Sequence, residues 1–307
     1  MRVKGVGSSK GAENLEIRVL RYFLETANES SITRAADRLC VSQPTMSKQL
    51  KELEKELGAK LFTRSNYSIK LTEAGLLLKE RAEDIVSLAD KTLKEFKNLE
   101  DFTSGDIFVG AAESNLIKYF AEVVKELQEK YPKIRCNVYS GNKIDVCEKL
   151  DKGLLDFAIV TNFIDLSKYN FLKMPSYDIW GVLMKKDDKL SKKKQIKLDD
   201  LSNLPLICSK QWLEHGVSQW FGEKAEKVNV VATYNLAFNA SIMVKAGMGY
   251  ALIYDKLVDT SEDSELTFRP LKSAPKAEMH IIWRKKQKFS SVAKLLLDEL
   301  NHRFKKI

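Results

Sequence analysis

Residues 41–57 read VSQPTMSKQLKELEKEL, and this stretch decides the fold of the N-terminal part of the chain. Its apolar side chains recur every three or four residues, at Met46, Leu50, Leu53 and Leu57. That spacing predicts a helix with one face buried against a core. Ser42 is suited to cap the first free N–H groups, and a proline in the first turn is tolerated because no donor is needed there.

The polar side chains of the first turns suit a DNA groove. They are Ser42, Gln43, Thr45, Ser47 and Lys48. Hydroxyl and amide groups reach base edges and phosphates, and a lysine meets phosphate. An ordinary amphipathic surface helix has the same pattern, so the neighbouring segments decide between the two interpretations.

Those neighbours predict a winged helix-turn-helix. Residues 15–27 and 30–39 have helical apolar spacing, and only Cys40 and Val41 separate the second of these helices from Ser42. Two short helices joined by a tight turn, with a polar face on the second, form a helix-turn-helix. Residues 60–64 and 67–72 then predict two short strands of a wing, with Arg64 near its tip, where a guanidinium can reach phosphate.

The whole-chain numbers are compatible with this prediction. The 307 residues suffice for two or three domains, and the net charge of +9 is compatible with a polyanionic partner. Residues 30–72 hold eight Lys/Arg and four Asp/Glu, a net +4. Four scattered cysteines favour reduced thiols over disulfides or a zinc site. No apolar run is long enough for a membrane span and no secretory signal is visible, so a cytoplasmic protein is expected.

The first fourteen residues, rich in Gly, Ser and Lys, are expected to be a disordered extension. They are an extended start, a cloning remnant or a basic arm that touches DNA.

Residues 31–75, SITRAADRLCVSQPTMSKQLKELEKELGAKLFTRSNYSIKLTEAG, resemble the DNA-binding domain of LysR-type transcriptional regulators. The AA-x-x-L, VSQP-x-x-S-x-Q, LE-x-x-LG, LF-x-R and LTEAG elements have that family's spacing. The resemblance implies base or phosphate contacts by Gln43, Pro44, Thr45, Ser47 and Lys48. It also implies backbone contacts near Arg34 and Arg64.

A linker helix over residues 73–100 is expected next, with Thr72 as its N-cap. Its apolar seam recurs every three or four residues, at Leu78, Ala82, Ile85, Ala89, Thr92 and Phe96. Such a repeat is typical of a coiled coil, so pairing with a second copy is predicted. The alternative is that the helix folds onto its own domain.

Residues 101–307 predict two α/β subdomains. A β-α-β-α-β pattern from residue 106 implies a parallel sheet, and the pattern restarts near 173. Residues 141–160 and 242–253 resemble segments of LysR-type effector domains, which look like periplasmic binding proteins; Tyr254 departs from the family's usual proline. The expected division is a winged helix-turn-helix over 15–72, subdomain I over 106–172 plus 268–307, and subdomain II over 173–267. The fold class is therefore α/β overall, with a mostly helical N-terminal domain.

A cleft between the subdomains is the expected effector site, since strand ends and helix N-termini face it. The candidate binding residues follow from position alone and are Ser114, Asn115, Ser140, Asn142, Thr161, Asn162, Ser209 and Asn235. Hydroxyls and amides beside helix N-termini suit a carboxylate or another small anion. The alternative is that these residues simply cap helices and turns.

Nothing in the sequence argues for catalysis. His215, His280 and His302 are dispersed and no Gly-rich phosphate loop follows a strand, so no catalytic residue, metal or cofactor is assigned. A thiol switch is disfavoured because Cys208 stands alone in its subdomain. The expected protein is a DNA-binding regulator of an interrupted palindrome, controlled by a small molecule. The seam implies a dimer, and the resemblance adds a tetramer and contact with RNA polymerase. The rival interpretation is a solute-binding or catalytic domain with a helical interaction module.

Overall fold

The computed structural model describes residues 15–64, 69–97, 103–161, 166–222, 226 and 228–304. The expected extension over residues 1–14 lies outside the described residues. The chain forms two compact units, Met1–Phe96 and Lys97–Ile307. In the described part of the chain, no helix is long and apolar enough to cross a membrane.

The first unit is a winged helix-turn-helix followed by a long helix. Its elements are α1 (Ile17–Glu29), α2 (Ile32–Arg38), α3 (Gln43–Glu56), β1 (Phe62–Arg64), β2 (Ile69–Leu71) and α4 (Glu73–Lys97). Met46, Leu50 and Leu53 are buried in the core of this unit, as the spacing predicts. Leu57 is 42% exposed, so the prediction that it is buried is wrong. The reason is that α3 ends at Glu56 and Gly58, with φ of 64°, turns the chain away.

The wing is an antiparallel pair in which Phe62 lies opposite Leu71. It is joined to the C-terminal half of α3 by Glu54, whose carboxylate accepts hydrogen bonds from the backbone N–H groups of Leu61 (2.9 Å) and Phe62 (3.4 Å). Lys60 also donates to this carboxylate at 2.8 Å. The start of the wing is therefore fixed relative to α3 by one side chain.

Helix α4 packs partly against the core of its own unit and partly exposes apolar side chains to solvent. Thr72 caps it, accepting from Gly75 N–H at 3.0 Å. Ala82 is fully buried in the core of the first unit, and Leu78 packs against that core. The predicted seam is therefore wrong in its N-terminal half, because those two side chains face the unit's own helices. A stripe of exposed apolar residues remains along α4, at Leu77, Ile85, Leu88 and Phe96.

The second unit contains two sheets and their helices. In chain order the elements are β3 (Ser104–Ala111), α5 (Ile117–Lys130), β4 (Lys133–Ser140), α6 (Lys143–Asp151), β5 (Phe157–Thr161), β6 (Tyr169–Asp178), β7 (Trp180–Lys185), β8 (Pro205–Ser209), α7 (Lys210–Phe221), β9 (Asn229–Tyr234), α8 (Ala237–Lys245), β10 (Tyr250–Tyr254), β11 (Leu266–Pro270), β12 (Ala277–Arg284) and α9 (Ser291–Phe304).

Both sheets are mixed rather than parallel. The first has the order β4-β3-β5-β12-β6, and the second β11-β7-β10-β8-β9. The predicted parallel pairing holds for β3 with β4 and β5, whereas β12 is antiparallel to both β5 and β6. In the second sheet β8 is parallel to β9 and β10, and β7 is antiparallel to β10 and β11.

The chain crosses between the two sheets twice. It crosses first at Ile179, between β6 and β7, and again over residues 271–276, between β11 and β12. These points differ from the boundaries expected near 173 and 268, which fall inside β6 and β11. The cause is that both strands continue along antiparallel neighbours, β6 along β12 and β11 along β7. The crossings bring the ends of several strands toward one cleft.

Candidate DNA-binding and effector sites

The first turns of α3 carry the predicted DNA-reading side chains. Gln43, Pro44 and Lys48 are exposed, and Ser47 is half-buried. A shallow surface depression runs along this side of α3 and includes Lys51 and Lys55 with Gln43 and Lys48. The two additional lysines were not among the predicted site residues, although each follows the previous lysine by three or four positions, the spacing of one helix face.

Ser42 and Thr45 are engaged with each other at the start of α3. Ser42 Oγ accepts a hydrogen bond from Thr45 N–H at 3.3 Å, and the two hydroxyl oxygens are 2.8 Å apart. Ser42 is therefore the predicted N-cap. Its hydroxyl orders the helix start, which leaves Gln43 and Lys48 as the longest exposed side chains of the first turns of α3.

The cationic side chains at and beside the exposed side of α3 differ in their acidic partners. Lys48 lies 3.9 Å from Glu52 one turn further on, at the limit of an ion pair. Arg34 bonds to the Glu29 carboxylate at 3.1 Å and also donates to the Glu29 carbonyl. Exposed pairs of this kind contribute little and open readily. The Arg64 side chain lies outside the described residues; its backbone ends β1 opposite Ile69.

The second unit contains a cavity of about 480 Å³ between the two sheets. Its wall includes four of the predicted effector residues, namely Asn142, Thr161, Ser209 and Asn235. Ser114, Asn115 and Ser140 are described but lie outside this wall, and Asn162 lies outside the described residues. A volume of this size is within the range of roughly 300–1,000 Å³ typical of small-molecule sites.

Two of these side chains are already used as helix caps. Asn142 Oδ1 accepts from the N–H groups of Ile144 (2.8 Å) and Asp145 (3.1 Å) at the start of α6. Ser209 Oγ accepts from Trp212 N–H at 3.2 Å at the start of α7. The alternative interpretation as structural caps therefore applies to both residues.

Ser114 is buried and bonded away from the cavity. Its Oγ accepts from Leu116 N–H at 2.9 Å and donates to the carboxylate of Asp178, the last residue of β6. Burial raises the pKa of Asp178 to about 6, while the hydrogen bond from Ser114 acts in the opposite direction. The pair joins the start of α5 to the first crossing between the sheets.

Sequence reasoning missed Glu113, which crosses the cleft. Its Oε2 accepts a hydrogen bond from the N–H of Ala237, the first residue of α8, at 2.5 Å. Burial raises the pKa of this carboxyl group, and the bond from Ala237 opposes the rise. Glu113 follows β3 directly, so its position at a strand end was the available signal. Its partner, 124 residues further along the chain, was not visible in the sequence.

Aromatic rings form part of the cavity wall. Trp180 and Tyr254 both line it, and their ring centroids are 4.3 Å apart. Trp220 packs edge-on against Trp180 at 5.1 Å. Lys143 and Lys210 lie elsewhere in the wall. The cavity thus combines an apolar aromatic surface with charged groups of both signs.

A winged helix-turn-helix joined to a two-sheet α/β unit with a central cavity defines the class of ligand-controlled transcriptional regulators. The sequence matches two family models, described as "Bacterial regulatory helix-turn-helix protein, lysR family" over residues 17–76 and "LysR substrate binding domain" over residues 101–305. The chain belongs to the LysR family. It is a sequence-specific DNA-binding transcriptional regulator controlled by a small-molecule effector, and not an enzyme.

Similar proteins cover nearly the whole chain. The HTH-type transcriptional regulator BudR of Raoultella terrigena is 27% identical, over 92% of this chain and 99% of its own. The HTH-type transcriptional activator CmpR of a Synechocystis strain is also 27% identical, over 94% and 95%. Among solved structures, CbnR, a LysR family transcriptional regulator, aligns with a TM-score of 0.75 at 18% identity, covering 94% of this chain and 99% of CbnR. CbnR complexed with its target DNA aligns with a TM-score of 0.73 at 20% identity, over the same shares.

Proposed function

We propose that this regulator binds an interrupted palindromic operator with the exposed side of α3 and the wing. The observation that carries the proposal is the set of solvent-facing polar side chains on the first turns of α3. Gln43, Pro44, Thr45, Ser47 and Lys48 are the base and phosphate contacts, with Ser42 supporting them. Arg34 and Arg64 contact the DNA backbone. Support comes from the structural neighbour that was solved with its target DNA.

Lys48→Ala tests this assignment through the salt dependence of DNA affinity. Each phosphate contact releases condensed counterions, so the plot of log affinity against log salt should become shallower by about one. Lys125→Ala is the matched control, since Lys125 is an exposed helical lysine of the second unit that also faces a glutamate one turn on, at 3.6 Å. Lys125→Ala should leave the slope unchanged. Equal slopes for wild type and Lys48→Ala would reject the phosphate contact.

We further propose that the chain acts as a homodimer paired along the exposed stripe of α4, defined above by Leu77, Ile85, Leu88 and Phe96. The stripe exposes four large apolar side chains, Phe96 by 67%, and clustered exposed apolar side chains are typical of an interaction surface. Pairing also supplies two reading helices for two half-sites. Association of two dimers into a tetramer follows the family resemblance.

Leu88→Glu tests the pairing. Burying a carboxylate in an apolar seam is unfavourable, so sedimentation should show a shift from dimer to monomer. Leu57→Glu is the control, because Leu57 has the same exposure, 42%, but lies off α4. A dimer that persists in Leu88→Glu would argue against this seam.

The proposed domain organisation is a DNA-binding domain over 15–72, a linker over 73–100 and an effector domain over 101–307. A small molecule in the cavity changes DNA affinity or DNA bending, and by linkage DNA changes the affinity for that molecule by the same factor. The regulator works in the cytoplasm, where its operator and RNA polymerase are found. Equal DNA affinity and bending with and without a cavity ligand would contradict the coupling.

A further inference from the structure

The cavity is less suited to a simple anion than its helix N-termini suggest. Helix N-termini attract anions because their first N–H groups lack partners. Here Asn142 caps α6 and Ser209 caps α7, and the first N–H groups of α5 donate to the backbone carbonyls of residues 114–116. At α8 the position is taken by a carboxylate of the chain itself, Glu113. A carboxylate ligand would compete with each of these groups.

Glu113 instead offers an acceptor to a ligand. It is half-buried in the wall of the cavity, and its hydrogen bond to Ala237 uses Oε2 alone. Among the described residues, no hydrogen-bond donor reaches Oε1. A buried carboxylate oxygen gains most from a charged donor, because charge-assisted hydrogen bonds are the stronger kind. Burial raises the pKa of Glu113, and a bound cation would offset that loss of hydration.

The charges of the wall are balanced. Glu113 and Asp145 are acidic, and Lys143 and Lys210 are basic. Asp145 lies in the first turn of α6 and bonds to the Asn142 side chain at 2.6 Å, whereas Glu113 reaches across the cleft to Ala237, so we assign Glu113 as the acidic group that meets the ligand. A neutral ligand with separated charges fits this wall better than an anion or a cation alone. The rings of Trp180 and Tyr254 supply an apolar surface for the rest of the ligand.

Building on the proposed function, we propose that the effector is a zwitterion of the amino-acid type. Its ammonium group binds Glu113 Oε1, its acidic group lies toward Lys143 and Lys210, and its side chain packs on Trp180 and Tyr254. This deepens the effector assignment and replaces the anionic ligand that the sequence suggested.

The test is a binding screen of the full chain with matched compounds. The twenty standard amino acids are measured by calorimetry beside their des-amino acids and decarboxylated amines, for example L-phenylalanine, 3-phenylpropanoate and phenethylamine. At least one amino acid should bind, with its des-amino acid about tenfold weaker or more. If no amino acid binds, or if the best ligands lack the amine, the zwitterion assignment is overturned.

Glu113→Gln locates the interaction. The amide keeps an oxygen for the Ala237 N–H, so the fold is retained, but it cannot pair with an ammonium. Amino-acid affinity should fall about tenfold or more, whereas Glu148→Gln, a matched change on the exposed side of α6, should leave it unchanged. Unchanged affinity in Glu113→Gln would overturn the role of this residue.

Lys210→Gln provides an independent variant on an exposed position. It should weaken binding of the amino acid but leave binding of the decarboxylated amine unchanged. An equal loss for both compounds would contradict the orientation. A des-amino acid that binds tightly and changes DNA affinity would overturn the amine assignment while leaving the proposed effector function intact. The Lys48→Ala salt slope tests DNA binding separately from both.

Discussion

The start of α3 and the starts of the helices around the effector cavity carry the same residue types, yet they use them differently. At α3, Ser42 and Thr45 satisfy the helix start between themselves, and Gln43 and Lys48 point into solvent. Around the cavity, Asn142 and Ser209 are turned back onto their own helices. A polar side chain near a helix N-terminus therefore usually bonds to the free N–H groups of its own helix. It is available to a ligand when another residue caps those N–H groups.

Among these substitutions, Gly75→Ala should cause the largest loss of stability. It tests the folding of the DNA-binding unit without changing the side chains proposed to contact DNA. A Cβ at this position would lie 2.2 Å from the carbonyl oxygen of Leu61, which is backbone and cannot move aside without shifting the wing. The first unit should lose about 3 kcal/mol of unfolding free energy. Thermal unfolding measures it. The control Gly58→Ala meets no atom within 4 Å and should cost about 1 kcal/mol, from its positive φ alone. Equal costs would show that the Gly75–Leu61 approach relaxes easily.

The buried Asp178 should make the effector unit more stable in mild acid. Its pKa of about 6 in the folded chain is above the ordinary value of 3.8. The folded state therefore holds the proton more tightly, and this contribution to stability is lost as the pH rises from about 4 through 6. One pKa unit corresponds to about 1.4 kcal/mol, so a rise from 3.8 to about 6 corresponds to a loss on the order of 3 kcal/mol.

Asp178→Asn keeps a polar partner for Ser114 and removes the titration. Unfolding by denaturant at a series of pH values should show that the stability of the variant relative to the wild type increases between pH 4 and 7. Parallel pH profiles for the two proteins would exclude Asp178 as the source.

Asn142→Ala and Asn142→Ser test whether Asn142 acts as a helix cap. Alanine removes the acceptor for the Ile144 and Asp145 N–H groups and should cost about 1 kcal/mol. Serine is a comparably good cap and adds no second carboxylate beside Asp145, which Asn142 Nδ2 bonds at 2.6 Å, so the stability of Asn142→Ser should stay close to that of the wild type. If both variants lost the same stability, capping would not explain the conformation of Asn142.

The DNA-binding unit was predictable because its signals are local. The stripe Met46, Leu50 and Leu53 and the Ser42 cap lie within one helix, and adjacent segments define the rest of the motif. The prediction that was wrong there concerns the surface that covers the apolar side chains of α4. Spacing showed that Ala82 is buried but not by which neighbour, and it packs into its own unit rather than against a second copy.

The effector unit was less predictable because its contacts join distant segments. No strand was predicted over β6, which contains Pro175 in its middle. Because β6 is an edge strand, with an irregular register opposite residues 278–280, a missing N–H is tolerated there. The bond from Ala237 to Glu113 likewise depends on how two sheets face each other. Residue type and strand-end position alone selected Ser114, which turned out to be bonded to Asp178 instead.

The most direct test of the central claim is selection of duplexes from a random DNA pool by the wild type and by Gln43→Ala. Gln43 is exposed, so its loss should leave stability within about 0.5 kcal/mol. The wild type should select two related half-sites separated by a spacer. Gln43→Ala should still bind DNA but with one base position in each half-site relaxed, a loss of discrimination of roughly 1–3 kcal/mol. An identical preferred sequence for both proteins, or none for the wild type, would contradict the assignment of α3 as the reading helix.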